Sequence, residues 1–195
     1  MFPIGVDTSS MGNARPILVT AFGPFGGRRT NASSIALQLL RRSDRSLRTR
    51  TFPVDRVEAP RRLAQAVKRV HPRAIVLLGE AGNAGRIRLE SRAWNQLDFG
   101  IPDIRGRQPR GEAIVPEGPE FLETRLPLEL LHSRLTAAGH DVEISTDPGR
   151  YLCNLLFHQA LHHHAVPSIF VHLPLENRID PERAVDALRD LIAEL

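Results

Sequence analysis

Two residues whose types form a nucleophile and its base occur near the predicted edge of a sheet. Cys153, the only cysteine in 195 residues, follows the turn Asp147–Pro148–Gly149 and lies in the first turn of a predicted helix. The positive end of a helix dipole favours the thiolate form of such a cysteine. His172 lies at the carboxyl end of the last predicted strand, one βα unit later. Open α/β sheets bind ligands at this edge, so we expect a Cys–His pair there.

A third group should orient the imidazole, and two glutamates are candidates. Glu80 and Glu90 flank the glycine-rich segment GEAGNAGR. Glu90 falls in an alternating apolar strand, where an ionised carboxylate needs a partner. Structural interpretations stay open as well, because a lone cysteine or histidine is often a core residue. For Glu90 the structural alternative is an ion pair with one of three nearby arginines, Arg86, Arg88 and Arg92.

Two other motifs suggest ligands, but each lacks part of the pattern that its ligand requires. His158 and His162 lie four residues apart on one helical face, followed by His163 and His164. Zinc needs at least three protein ligands, and no carboxylate or cysteine is placed to complete a set. We therefore predict a solvated helix end with no metal. The segment GEAGNAG at 79–85 lacks the spacing of both nucleotide-binding fingerprints.

Apolar runs alternate with helical periodicity along the chain. Strands are predicted at 17–22, 49–54, 74–79, 87–95, 142–146 and 168–173, the fourth of them half-exposed. Helices are predicted at 31–42, 59–71, 127–138, 152–164 and from Pro181 to Leu195, and residues 96–119 form a long loop. This alternation predicts an α/β sandwich with a mostly parallel sheet. We expect a flexible tail at 1–15 and one domain at 16–195.

Composition narrows the class of protein. The chain is 42% hydrophobic and 25% charged, with no apolar run long enough for a membrane span and no signal peptide in its leader. A single cysteine is typical of a reducing compartment. Of the 26 basic residues, 25 are arginine, and they are densest in RRSDRSLRTR at 41–50. That patch could bind phosphates, but no interleaved aromatics are present to stack bases, so nucleic acid is not the expected partner.

Several separated segments resemble one known family. VTAFGPFGGRRTNAS, GEAGNAGRIRLESRAWN, IPDIRGRQP, LPLELL, GRYLCNLLFHQALHH and IFVHLP occur in the order found in pyroglutamyl peptidase type I. The resemblance extends from about Ile17 to Leu175. It implies a three-layer α/β/α sandwich around a mixed, mostly parallel sheet. It also implies a cytosolic cysteine exopeptidase without a cofactor, often a homo-oligomer, that removes an N-terminal pyroglutamyl residue from peptides.

The resemblance assigns roles to particular residues. It implies Cys153 as nucleophile, His172 as base and Glu90, rather than Glu80, as the acid that orients the imidazole. Substrate-binding positions are implied at seven residues: Phe22, Phe25, Asn31, Glu80, Ile101, Tyr151 and Leu152. The loop at 98–119 is expected to close over the substrate ring.

The chain departs from the family pattern near the implied pocket. Glu80 replaces a usual Gln, Gly100 a usual Arg, and Tyr151 a usual Phe. We expect the Glu80 side chain to turn away from the substrate and to be neutralised by Arg86 and Arg88. Two other functions remain open on the sequence. One is a related amidase with a different lactam or N-terminal group as substrate, and the other is an Arg-rich anion- or nucleic-acid-binding protein on the same scaffold.

Overall fold

A six-stranded sheet and a separate two-stranded sheet form the framework of the protein. The computed structural model describes residues 15–195, so nearly all of the predicted tail lies outside the described residues. The strands are β1 Ile17–Phe22, β2 Arg48–Phe52, β3 Ala74–Glu80, β4 Ile87–Glu90, β5 Arg92–Trp94, β6 Phe121–Glu123, β7 Val142–Ser145 and β8 Ser168–Leu173. The large sheet has the order β2-β1-β3-β8-β4-β7, and β5 pairs with β6. Among the described strands of the large sheet, β4 and β8 pair antiparallel and all other neighbours pair parallel.

Within residues 15–195, five helices cover the two faces of this sheet. They are α1 Ala32–Ser43, α2 Glu58–Val70, α3 Leu128–Ala137, α4 Leu152–His163 and α5 Pro181–Ala193. Helices α1, α3 and α5 pack together on one face, and α2 and α4 on the other. Alternate residues of β1, β3 and β8 belong to two separate apolar clusters, as Val19 and Leu18 of β1 show. The predicted three-layer α/β/α sandwich with a mixed, mostly parallel sheet is confirmed.

The central strands are buried on both faces, which explains their continuous apolar sequence. All six residues of β1 and all six of β8 are buried, and the bounds of these strands match the prediction. The strand predicted at 87–95 is instead two strands. Ser91 donates to the Ser145 carbonyl at 2.7 Å and lets the chain leave the large sheet, so that β5 joins β6. The first half is not half-exposed as predicted, since Leu89 and Glu90 are fully buried.

A topological switch point lies at the carboxyl ends of the central strands. The chain goes from β1 to β2 on one side and then crosses back to β3 on the other. The β1–β3 pairing ends at Thr20 opposite Leu77, whereas β1 stays paired with β2 as far as Phe22 opposite Phe52. A crevice therefore opens between the ends of β1 and β3, the position at which open α/β sheets bind ligands. Between residues 15 and 195, none of the helices is long and apolar enough to cross a membrane.

Candidate active site

Cys153 rests on a glycine beside His172. Gly79 of β3 lies opposite His172 of β8 in the parallel register. A Cβ atom on Gly79 would lie 2.9 Å from Cys153 Sγ and 2.7 Å from the Phe170 ring, closer than real Cβ atoms come. Only glycine at this position lets the first turn of α4 approach the sheet. The thiol is thereby held against β3, next to the strand that carries His172.

The imidazole of His172 is held from its other side by Glu90. Antiparallel register places Glu90 of β4 opposite Phe170, so Glu90 is the diagonal neighbour of His172 on the same face. His172 Nδ1 lies 2.8 Å from Glu90 Oε1, and both side chains are buried. Glu90 Oε2 has no hydrogen-bond partner within residues 15–195. The arginines considered as partners pair elsewhere: Arg86 with Asp141 and Glu143, Arg88 with Glu143, and Arg92 with Glu123.

The charges around His172 favour its protonated form. Burial acts to lower the pKa of His172, but the adjacent Cys153 and the hydrogen-bonded Glu90 outweigh it and raise the pKa to about 9. At neutral pH the imidazole therefore carries the proton. A cation beside Sγ favours a thiolate, which is the nucleophilic form of cysteine. The Cys153–His172–Glu90 arrangement has the geometry of a nucleophile, a base and an orienting acid.

The start of α4 offers backbone donors close to the thiol. Tyr151 is the N-cap, and its side chain makes no cap hydrogen bond, unlike Asn31 of α1 and Asp180 of α5. The first amides of a helix have no intrahelical acceptor. Because Cys153 is the second residue of α4, these amides lie beside Sγ. A negatively charged oxygen formed there would meet both these donors and the positive end of the helix dipole.

A cavity of about 330 Å³ opens at the switch point between β1 and β3. It is lined by Cys153 and by all seven residues implied as substrate-binding: Phe22, Phe25, Asn31, Glu80, Ile101, Tyr151 and Leu152. The sequence did not point to four further lining residues, Gly26, Arg28, Thr30 and Val54. Three of these belong to the turn after β1, inside the segment VTAFGPFGGRRTNAS, and no residue type in that turn indicated which side chains face inward.

Aromatic side chains form one wall of this cavity. The Tyr151 ring lies 5.7 Å from the Phe25 ring centroid and 4.4 Å from that of Phe99. Its hydroxyl donates to the Pro102 carbonyl at 3.2 Å, which ties the residue before α4 to the loop at 96–119. Ile101 lines the cavity from that loop. The wall is therefore built from both the helix start and the loop.

Two buried aspartates hold the loop at 96–119 in place. Asp103 accepts from the backbone amides of Arg56, Arg105 and Arg107 at 2.8–3.0 Å. Desolvation opposes ionisation of Asp103, but these backbone donors outweigh it and lower its pKa. Asp55 in turn accepts from the Arg107 guanidinium at 3.0 Å. The loop is thus fastened to the segment before α2, and it already covers one side of the cavity.

Glu80 lies at the cavity but not beside His172. Its Oε2 accepts from the Ala32 amide at 2.7 Å, and its Oε1 pairs with Arg28. The expectation that Arg86 and Arg88 neutralise Glu80 is therefore wrong, because those arginines pair across β4 and β7 instead. Between the two candidate acids, only Glu90 contacts the imidazole of His172 within the described chain.

The histidine cluster differs from the predicted solvated helix end at one residue. His158 is 1% exposed, and neither ring nitrogen has a hydrogen-bond partner within residues 15–195. Burial, together with His162 and His163, lowers the pKa of His158 to about 4. His162 and His163 are exposed. No three His, Cys, Asp or Glu side chains converge as a set of metal ligands in the part of the chain that the structure describes.

Comparisons with known proteins identify relatives over most of the chain. A family model described as pyroglutamyl peptidase matches residues 15–187. The pyrrolidone-carboxylate peptidase of Yersinia pestis is 34% identical over 180 residues, covering 88% of this chain and 82% of the relative. The crystal structure of pyrrolidone carboxyl peptidase from Thermus thermophilus superposes with a TM-score of 0.81 and 35% identity, covering 92% of this chain and 100% of that chain. Pyroglutamyl peptidase I from Bacillus amyloliquefaciens gives a TM-score of 0.84 at 26% identity, with coverages of 92% and 94%.

Proposed function

Because this chain belongs to the pyroglutamyl peptidase family, we propose that it is a cysteine exopeptidase that removes an N-terminal pyroglutamyl residue from peptides. One observation carries the proposal: the 2.8 Å contact between Glu90 and His172 lies beside a cysteine that lines a partly aromatic cavity. The catalytic roles proposed are nucleophile for Cys153, proton carrier for His172 and orienting acid for Glu90.

The reaction follows from the chemistry of these three groups. The Cys153 thiolate attacks the carbonyl that joins pyroglutamate to the next residue, and the amides at the start of α4 stabilise the oxyanion. His172, which carries a proton at neutral pH, gives it to the leaving amine. The neutral imidazole then takes a proton from water, whose oxygen attacks the thioester and releases pyroglutamate. Glu90 holds the ring in position and stabilises its cationic form throughout.

Recognition of the lactam is proposed to use the backbone of Glu80. In β3, the amides of Ile75 and Ala81 donate towards β8, at 2.9 Å in both cases. Backbone direction alternates along a strand, so the N–H and C=O of Glu80 point the other way, towards β1. The β1–β3 pairing has ended by then, and these two groups face the crevice. A five-membered lactam presents an N–H and a C=O on one edge, which can pair with them.

The apolar walls explain why a ring would be preferred to an ordinary N-terminus. Phe22 and Phe25 offer flat surfaces to the two faces of a lactam. A free N-terminal amine would carry a charge into this apolar site, and its desolvation is costly. Backbone groups that pair with the lactam would also be left unpaired by a substrate lacking them, which further penalises that substrate.

The cellular setting is also a proposal. Cys153 is the only thiol of the chain, and as the proposed nucleophile it must stay reduced. A cytoplasmic location suits this requirement, because that compartment keeps thiols reduced. A homo-oligomer is what the family resemblance implies, and a second copy would cover exposed aliphatic side chains such as Val57, Ile101 or Ile104. No cofactor is needed for the chemistry proposed. Light scattering after size-exclusion chromatography measures the oligomeric state directly.

Hydrolysis of a pyroglutamyl amide reporter tests the proposed function. The wild type should release the reporter amine, and Cys153→Ala should abolish release while leaving the fold intact by circular dichroism. A panel of prolyl, glutaminyl and six-membered lactam amides serves as the specificity control. Preference for one of those amides, or undiminished hydrolysis by Cys153→Ala, would contradict the proposal.

A further inference from the structure

The Glu80 side chain connects three elements around the cavity. Glu80 ends β3, next to Gly79 under the thiol, and its side chain is only 10% exposed. One carboxylate oxygen accepts from the Ala32 amide at the start of α1, and the other pairs with the Arg28 guanidinium. Both oxygens are therefore engaged on the side of α1 and its preceding turn. No element of the mechanism above uses this carboxylate.

Arg28 belongs to the turn that carries an aromatic wall of the cavity. The turn runs from Gly23 to Thr30, and Gly26 and Gly27 have φ values of 65° and 76°, which side chains other than glycine rarely adopt. The Arg28 amide donates to the Phe25 carbonyl at 3.3 Å, so Arg28 and Phe25 are parts of one compact turn. A contact that holds Arg28 in place therefore also restrains Phe25, whose ring centroid lies 5.7 Å from that of Tyr151.

We propose that Glu80 is a positioning and specificity-determining residue, whose ion pair with Arg28 fastens the Phe25 turn over the lactam site. This inference rests on the proposed function and deepens it. The pair clamps the aromatic wall against the end of β3, so it acts on the affinity for the ring. It leaves the bond-breaking chemistry at Cys153 untouched.

The charge of Glu80 is what makes both contacts compatible. An ionised carboxylate is acceptor-only, and its two oxygens serve Ala32 and Arg28 separately. A glutamine has one acceptor oxygen, so its amide N–H₂ would face either the Ala32 N–H or the Arg28 guanidinium, donor against donor. Glu80 and Arg28 are therefore a matched set in this chain. Since 37% of the Arg28 side chain is exposed, salt should weaken their pairing.

Steady-state kinetics with the pyroglutamyl reporter test the clamp. Glu80→Gln and Arg28→Gln should each raise KM by about three- to tenfold, while kcat changes by less than about twofold. The double variant should be no worse than either single variant, because the two residues act through one contact. Arg29→Gln is the matched control: it removes the same charge from the adjacent exposed residue, and its KM should equal that of the wild type. Raising the salt concentration should increase KM of the wild type and of Arg29→Gln but not of Glu80→Gln.

Amide hydrogen exchange tests the clamp without using activity. The peptide spanning residues 22–31 should exchange faster in Glu80→Gln and Arg28→Gln than in the wild type and Arg29→Gln. If the wild type fails to cleave the reporter but this exchange pattern holds, the proposed function fails and the clamp survives as a structural contact. Unchanged exchange in both variants, or additive effects on KM together with a fall in kcat, would overturn the clamp itself.

Discussion

Gly79 lies against the Cys153 thiol: a Cβ atom added to Gly79 would come within 2.9 Å of Sγ, closer than real Cβ atoms approach. Gly79 of β3 supports the thiol, and His172, which lies opposite Gly79 on β8, supplies the base. The backbone of β3 thus forms the floor of the candidate active site. Its glycine is required by sterics rather than by turn geometry.

Gly79→Ala should therefore damage the site directly. The added methyl group must displace Sγ or the Phe170 ring, from which it would lie 2.7 Å away. We expect kcat to fall at least about a hundredfold, since misplacing a reacting group by about 1 Å costs that much. Gly82→Ala is the control, because a Cβ at Gly82 meets no atom within 4 Å. Comparable kcat in the two variants would contradict this account of Gly79.

Glu90→Gln should shift the alkaline limb of the pH–rate profile. Glu90 helps to raise the pKa of His172 to about 9, so the protonated imidazole should persist in the wild type until about pH 9. Removing the negative charge lowers that pKa, and kcat/KM should then decline at a lower pH than in the wild type, in addition to an overall loss of rate. The profile is measured between pH 6 and pH 10. An alkaline limb at the same pH in both proteins would show that Glu90 does not act on His172.

His158 should make the protein sensitive to acid. Its pKa in the folded protein is about 4, below the ordinary value of 6.5, so the unfolded chain binds the proton first as the pH falls. Stability should accordingly be lost between about pH 6.5 and pH 4, by about 2 to 3 kcal/mol over the window. The raised pKa of His172 has the opposite effect. Its contribution to the free energy of unfolding is complete below pH 6.5 and is lost as the pH rises through 9.

Replacing His158 with leucine should remove this acid sensitivity. Leucine puts an apolar group where two ring nitrogens have no partner within residues 15–195. Urea unfolding at pH 7.5 and pH 5 compares the wild type, His158→Leu and the control His162→Leu, whose histidine is exposed. The free energy of unfolding should be lower at pH 5 than at pH 7.5 in the wild type and in the control. The difference between the two pH values should be distinctly smaller in His158→Leu. Equal losses in all three proteins would assign the acid sensitivity to other groups.

Asp103→Asn should loosen the loop that carries Ile101. The carboxylate accepts three backbone hydrogen bonds and its side chain is fully buried, whereas an amide offers a single acceptor oxygen. We expect a loss of about 2 kcal/mol in the free energy of unfolding and a higher KM for the reporter. Asp98→Asn is the matched control, because Asp98 is half-exposed in the same loop. The measurements are urea unfolding and steady-state kinetics, and the prediction is wrong if the two variants behave alike.

Some of this architecture could be read from local sequence and some could not. The bounds of β1 and β8 were predictable because strands covered on both faces are continuous apolar runs. The two-stranded sheet of β5 and β6 was not, since each strand has three residues and the first continues the alternation of β4. That alternation carries no sign that the chain changes sheets at Ser91.

The partners of charged residues were harder to predict than the elements. Arg86 and Arg88 were expected to neutralise Glu80 because they are near in sequence, but the partner is Arg28, 52 residues away. His158 was expected in solvent because other histidines follow it, yet it faces the interior one turn earlier in α4. Such contacts depend on how elements pack, which the spacing of residue types in one element does not determine.

Trapping the acyl-enzyme shows which residue is the nucleophile. A pyroglutamyl ester reacted with the wild type and quenched in acid within the first turnovers should give a protein heavier by one pyroglutamyl group. Peptide mapping should find that group on Cys153, and Cys153→Ala should show no such adduct. Turnover of the ester by Cys153→Ala at the wild-type rate, or an adduct on any other residue, would contradict the assignment of Cys153 as the nucleophile.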